Sequence, residues 1–399
     1  MSAKQQILYV VLPRLGGLAL ALLLVACGQP AAQTPTELPA ATEAVTEAPA
    51  ATEPPTAAPT EPPTQVPTET VTEAPAATEP PTTEGALVSV KVDQAPTLDG
   101  AADEAAWQDA PEIVIPVSGG ANNGSTEVSL KSVYTGDMVY FVASWADPSE
   151  SWLRAPWEKQ ADGTWIKLAD PNDKGGDNNL YYEDKLAFLW DIGNSIPNFN
   201  TTGCFTACHA GENSDVKPYG NMYTAEEGQL GDIWHWKTVR NLNQFDDQYL
   251  DWTRYTADTA GAGRKTDASD SGGYVNNETE DQKMPAFMPP DGGNKDGSPG
   301  FILDSEKVPF DDSLFQPGDM VPGIIKSEFV GDRGDISAGW MYGDGKWTVE
   351  FGRALDTGSE TDVQFTDLAA IYYFGVATFD NASVRHAFQT GATAFVFKP

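Results

Sequence analysis

Residues 28–85 contain no lysine, arginine or aromatic residue and consist almost wholly of Pro, Thr, Ala and Glu. The stretch VTEAPAATEPPT at 45–56 recurs unchanged at 71–82. Such a composition has too little apolar surface to offset the entropy of ordering the chain, so disorder is expected here. Its prolines favour extended polyproline II and its like charges repel, which makes it a semi-stiff spacer with a reach of roughly 100 Å or more. A hydrophobic core must therefore come from residues 87–399, enough for one large domain or a core domain with long insertions.

The segment before the spacer reads as an address. Lys4 and Arg14 give a basic start, an apolar run fills 15–26, and the run ends Leu24-Val25-Ala26-Cys27. That order fits a secretory signal, and the run is too short to span a membrane comfortably. Leu-Val-Ala-Cys resembles the lipobox of bacterial lipoproteins, in which the cysteine becomes the acylated first residue. The expectation is a signal peptide over 1–26, then a lipidated Cys27 and disordered linker over 27–86. The exported domain at 87–399 would be held by its lipid alone at the outer face of a bacterial membrane, periplasmic or cell-surface. An ordinary cleaved signal with an incidental cysteine is the alternative.

The formal charge of −34 becomes two units more negative once Lys4 and Arg14 leave with the signal. It argues against nucleic acid, whose binding rests on phosphate neutralisation, and against docking on anionic lipid. A highly soluble exterior accounts for it, as does steering toward a basic redox partner.

Within 87–399, alternating β-branched and aromatic residues mark strands at 87–92, 127–134, 138–145, 185–190, 346–351, 369–378 and 392–397. Gly, Asn, Asp and Pro clusters separate them, and no stretch of similar length carries a helical period. The fold expected is mainly β: an antiparallel, jelly-roll-like β-sandwich with long loop insertions. From about 241 to 337 the chain is polar and rich in Gly, Asp and Pro, as in loops draped over one end of a sandwich.

The chemistry concentrates at 203–210, Gly-Cys-Phe-Thr-Ala-Cys-His-Ala. If Cys27 is taken by lipid, only Cys204 and Cys208 remain, and a disulfide between them would staple almost nothing. Two thiols followed at once by an imidazole suit covalent haem: the thiols add to two vinyl groups and His209 reaches the iron. The usual spacing is C-x-x-C-H; here one residue more separates the cysteines. A local disulfide, a zinc site and a chance buried cluster are the alternatives, although no second Cys/His pair at finger spacing completes a zinc shell. Candidates for a second iron ligand are His235, His386, Met222, Met284 and Met288. His235 lies in the aromatic segment Asp232-Ile233-Trp234-His235-Trp236-Lys237. There Trp234 and Trp236 could wall a haem, or simply pack in the core, and Lys237 or Arg240 could pair with a propionate.

Several pieces resemble the haem-binding domain shared by the gamma subunit of ethylbenzene dehydrogenase, its dimethylsulfoxide-reductase-type relatives and c-type cytochromes of the same sandwich. They are Pro-Thr-Leu-Asp-Gly at 96–100 through Trp107, the strand at 184–190, the segment 232–237, Gly-Lys-Trp-Thr-Val-Glu-Phe at 345–351 and the closing 379–397. The opening piece also resembles family 9 carbohydrate-binding modules. In the gamma subunits the resemblance implies a non-covalent haem held by Met, shortly before the Trp-rich segment, and by Lys, in the loop before the last strand. This sequence departs at both places, carrying Cys204, Cys208 and His209 at the first and His386 at the second. The resemblance thus implies His209 and His386 as iron ligands, with His235 the alternative to His386. A saturated iron has no open position for substrate and no acid–base pair is evident, so the expectation is electron transfer rather than catalysis. The partner would be a molybdenum-type oxidoreductase or another cytochrome. A carbohydrate- or ligand-binding lipoprotein without a redox role is the other reading.

Overall fold

The computed structural model describes residues 85–172, 178–209 and 222–398. The signal, Cys27 and all but the end of the spacer lie outside them. Among the described residues thirteen strands join into one sheet. They are β1 (Leu87–Lys91), β2 (Ile113–Ser118), β3 (Ser125–Tyr134), β4 (Met138–Ala146), β5 (Lys185–Asp191), β6 (Gly231–Lys237) and β7 (Asp246–Leu250). There follow β8 (Arg264–Thr266), β9 (Ser337–Gly343), β10 (Lys346–Ala354), β11 (Tyr372–Phe379), β12 (Ala387–Phe388) and β13 (Thr393–Lys398).

The hydrogen-bonded order is β8-β7-β6-β5-β11-β12-β2-β3-β4-β10-β9, and a second path runs from β11 through β13 and β1 to β3. One layer is β8-β7-β6-β5-β11 and the other is β3-β4-β10-β9, joined through β12–β2 and through β13–β1. The pairings are antiparallel apart from β1, which runs parallel to both β13 and β3. This is the mainly β, antiparallel sandwich expected from the alternation.

The core lies between the layers. Phe141 on β4 stacks on Phe351 of β10 at 5.2 Å and meets Trp190 and Trp234 of the opposite layer at 5.9 and 5.6 Å. Trp145 meets Trp236 edge-on at 5.9 Å. Offset and edge-to-face ring pairs of this kind add roughly 0.5–1.5 kcal/mol each beyond burial. The Pro-Thr-Leu-Asp-Gly piece acts as a strap on this core. The buried Glu350 carboxylate accepts the Trp107 indole N–H and the Gly100 N–H, each at 2.7 Å. Gly100 has φ +85°, and a Cβ there would lie 2.2 Å from the Trp340 carbonyl carbon, so no other residue fits.

The stretch 241–337 holds more order than its composition suggests. It supplies β7 and β8, and Ser271–Asn276, Ile302–Leu303 and Ile324–Val330 form a separate three-stranded sheet. Met320–Val321 pairs with Trp157–Lys159, over a small core of Trp157, Trp165, Met288, Phe315 and Val321. Most of these strands are two to six residues long, too short for an alternating period to register.

Candidate functional site

Strict alternation along β5, β6 and β11 gives the outer face of their layer its own residues. Phe188, Trp190, Trp234, Trp236, Phe374 and Val376 point into the sandwich core. Their neighbours form three rows on the other face, read from the register of the strands. The first row is Ile233-Leu189-Gly375, the second His235-Ala187-Ala377, and the third Lys237-Lys185-Phe379. This puts Trp234 and Trp236 on the far side of β6 from the cavity. They are core residues and wall nothing outside it, because successive side chains of a strand face opposite ways.

Over the rows lies a cavity of about 200 Å³ lined by Cys204, Cys208, His209, Met222, His235 and His386 among mainly apolar residues. Small residues in the floor make the room. A Cβ on Gly375 would stand 2.7 Å from Cys204 Sγ. The loop carrying the thiols is seated by a bridge between Gly203 and Gly391, where Gly203 (φ +57°) comes so close to the Gly391 carbonyl that a Cβ would overlap it. Both thiols are free, so the structure holds no disulfide there. Burial pushes Cys208 up to about 11 and Cys204 higher still, which keeps both protonated at neutral pH.

The histidines separate by tautomer. His386 Nδ1 lies 3.0 Å from the Val384 carbonyl, which can only accept, so the ring proton sits on Nδ1 and the Nε2 lone pair is free. That Nε2 faces His209 Nε2 at 3.3 Å. His235 is pinned the opposite way. The Arg264 guanidinium donates to its Nδ1 at 2.7 Å, which leaves the proton on a buried Nε2 that no protein group accepts. Burial, with His209 beside it, holds His386 down to about 3. Burial also lowers His209. Burial and the charges of Lys237 and Arg264 hold His235 well below the ordinary imidazole value. All three are neutral at pH 7. Phe205 stacks on His209 at 4.9 Å and Phe379 packs on His386 at 4.9 Å, fixing both rings.

Along the second and third rows the cavity adjoins another, of about 340 Å³, lined by Lys185, Lys237, Arg240, Arg264, Tyr182 and Tyr274 among others. Lys237 is bound to Asp246 and Arg240 to Glu183, so neither cation is the spare one. Lys185 and Arg264 form no ion pair among the described residues. Lys185 donates to the Ser383 carbonyl and sits 3.9 Å over the Phe379 ring, while Arg264 binds Gln248 and His235. Of the methionines, Met222 lines both cavities, Met284 is exposed and Met288 belongs to the small Trp157 core. No three-ligand group assembled among the described residues includes Cys204, Cys208 or His209, so no zinc shell is preformed there. Lys185 carries the one advance signal among the residues not singled out from sequence, since it opens a buried apolar strand on the face opposite the core. Arg264 and Phe205 carry none.

The fold and site define a class: a β-sandwich protein with two thiols and two facing imidazoles in one cavity on the outside of a layer. The family model for ethylbenzene dehydrogenase matches residues 104–391, and the chain belongs to that family. No curated protein matches it. Among solved structures, a family 9 carbohydrate-binding module from Caldicellulosiruptor kristjanssonii in complex with glucose aligns over 78% of this chain and 95% of its own, at 10% identity and TM-score 0.29. The same organism's module in complex with cellotriose aligns over 78% and 94%, at 9% identity and TM-score 0.28.

Proposed function

We propose that this chain is an exported, lipid-anchored c-type cytochrome. It carries one haem through Cys204 and Cys208 and passes electrons to or from an oxidoreductase complex. The convergence of both thiols, His209 and His386 in one apolar cavity carries the reading, given that the histidines are 177 positions apart.

The donor set fits such a group. Each thiol S–H adds across one vinyl C=C, so nothing is released. Two metal–imidazole bonds of about 2.0 Å span about 4 Å, so the rings at 3.3 Å need part by less than about 1 Å to share an ion. His386 is favoured over His235 because its Nε2 offers a lone pair, whereas Arg264 keeps a proton on that of His235. Polarity runs the right way too. Cys204 stands at the Gly375 row and the Lys185 amine at the third row, about 13 Å apart at strand spacing, with the Arg264 guanidinium between them on Gln248 and His235. That suits a macrocycle with vinyl groups at one edge and carboxylates at the other.

When bound, the haem supplies a one-electron couple. The protein's own residues then have limited tasks. His209 and His386 would both hold the iron and leave it saturated, so the chain is read as an electron carrier and not an enzyme. Two imidazoles would set a lower potential than a His/Met pair. The apolar floor excludes water, and Lys185 with Arg264 would neutralise the propionates. Family membership supports an oxidoreductase as partner, of molybdenum type, or another cytochrome. The net charge of −34 favours a basic docking face.

The test is a pyridine haemochrome spectrum of the purified chain with acid–acetone extraction. A c-type spectrum with haem retained in the denatured protein is expected. Haem that extracts freely overturns the covalent reading, and protein expressed with a haem-maturation system yet free of haem turns the reading toward the sugar-binding alternative. The anchor is tested by Cys27→Ser, which should move the protein from the membrane fraction to the soluble one.

A further inference from the structure

Away from the cavity, Asp267, directly after β8 and 4% exposed, is a buried carboxylate whose two oxygens both lack a hydrogen-bond partner among the described residues. The Thr361 hydroxyl approaches it without hydrogen-bond geometry. Asp267 points at Asp332 and Asp362, with ligand oxygens of the three within 4.8 Å of one another. Asp362 Oδ2 is used by Arg353 and Thr357, but its buried Oδ1 is unpaired. Asp332 is half-buried and forms the outer side of the trio.

Charge makes the arrangement harder to leave alone. Arg353 lies inward, where it donates to Asp232 at 3.0 Å and to Asp362 at 3.2 Å and stands 3.8 Å from Asp247. One guanidinium thus already faces three carboxylates before Asp267 and Asp332 are counted. A buried carboxylate without a partner costs several kcal/mol or changes its protonation. A second acidic trio, Asp147, Asp184 and Asp380, shows the contrast. Its oxygens accept N–H groups of Ser149, Ser151, Asn381 and Asn123 and the Trp347 indole. No oxygen of that trio is buried without a hydrogen-bond partner among the described residues.

We propose that Asp267, Asp332 and Asp362 form a site for a calcium-type divalent cation, entered from the Asp332 side. Hard carboxylate oxygens, with the Thr361 and Ser359 hydroxyls close by, suit calcium, which takes six to eight oxygens in loose geometry. Magnesium suits the site less, because it keeps its waters and demands an octahedron. The ion would tie the end of β8 to the segment before β9 and the loop between β10 and β11. Since β8 carries Arg264, it would also steady the arginine that pins His235. The proposal is independent of the haem reading.

The experiment is thermal unfolding of the full chain at neutral pH, first stripped with a chelator, then titrated with calcium or magnesium, alongside Asp332→Asn and Asp267→Asn. Calcium at a hundredfold excess over its Kd should raise the midpoint of the wild type by about 5 °C, and magnesium by clearly less. Asp332→Asn, at a half-exposed position that tolerates change, should fold normally and lose most of the response, as should Asp267→Asn. A wild type indifferent to millimolar calcium overturns the site and means the carboxyls are kept neutral by protons. A calcium response unchanged in both variants overturns it as well, because the ion then binds elsewhere.

Discussion

His209 Nε2 and His386 Nε2 face each other at 3.3 Å, brought together from a turn after β5 and the loop between β11 and β12. Phe388 closes one side of the pair, 4.9 Å from the His209 ring and 6.1 Å from that of His386. His386 presents its Nε2 lone pair to His209 Nε2 at hydrogen-bond distance, and both rings are neutral, which is what the proposed shared iron requires of them. His235, nearby in the floor, is arranged to hold a proton.

The histidines should therefore respond differently to removal. His386→Ala is expected to turn a low-spin ferric haem high-spin or water-ligated and to admit cyanide or carbon monoxide. His235→Ala should keep the low-spin spectrum, with some loss of haem retention as the Arg264 contact disappears. Optical and paramagnetic resonance spectra decide it: a His235 variant that alone becomes high-spin reverses the assignment. If both variants stay low-spin, Met222 is the ligand to examine, through a far-red sulfur-to-iron band.

Gly375 tests the seat of the proposed thioether. Its missing side chain is where Cys204 Sγ rests, with a built Cβ only 2.7 Å away. Gly375→Ala should lower the yield of covalent haem severalfold while leaving the far-ultraviolet circular dichroism intact. Gly136→Ala, where a Cβ meets nothing within 4 Å, is the control and should yield normally.

The strap over the core rests on Glu350, which is fully buried and accepts from Trp107, Gly100 and Asp99. Glu350→Ala leaves three donors unpaired and should cost about 3 kcal/mol or more, measured by urea unfolding. Glu350→Gln, which keeps one acceptor oxygen, should recover part of that. An alanine variant within about 0.5 kcal/mol of wild type would show that water replaces the carboxylate.

A pH effect follows from Lys326, which donates to the Asn241 carbonyl at 2.6 Å and lies 3.4 Å over the Phe301 ring. Burial pushes it down to about 7. In the unfolded chain it titrates near 10.4. Between those values the unfolded state holds a proton that the folded state has released, so stability rises with pH across that window. The slope is at most about 1.4 kcal/mol per pH unit. Below pH 7 the cost of burying the charge is fully present. The difference in unfolding free energy between wild type and Lys326→Met should therefore shift in favour of wild type from pH 7 to pH 10. A flat difference would mean that the carbonyl and the ring stabilise the charged form enough to hold its pKa near the ordinary value.

The sequence by itself determined the strand layer and the local chemistry. Alternation at 138–145 or 185–190 is a two-residue signal that any window displays, and Cys204, Cys208 and His209 are neighbours in the chain, so their joint chemistry needs no fold to be seen. Resemblance to a family singled out His386, but its distance from His209 is a tertiary fact. It depends on the Gly203–Gly391 bridge and on the register of β11 against β5. Which face of β6 meets the cavity was equally out of reach: in Trp234-His235-Trp236 alternation says that neighbours part, and only the second layer says which way. The basic groups left without a carboxylate, Lys185 and Arg264, emerged last, because only the fold shows that Asp246 on the next strand takes Lys237 and that Glu183, 57 positions away, takes Arg240. Period and adjacency are written along the chain. Pairing, tautomer and facing direction are set by groups remote in sequence, and folding alone brings those together.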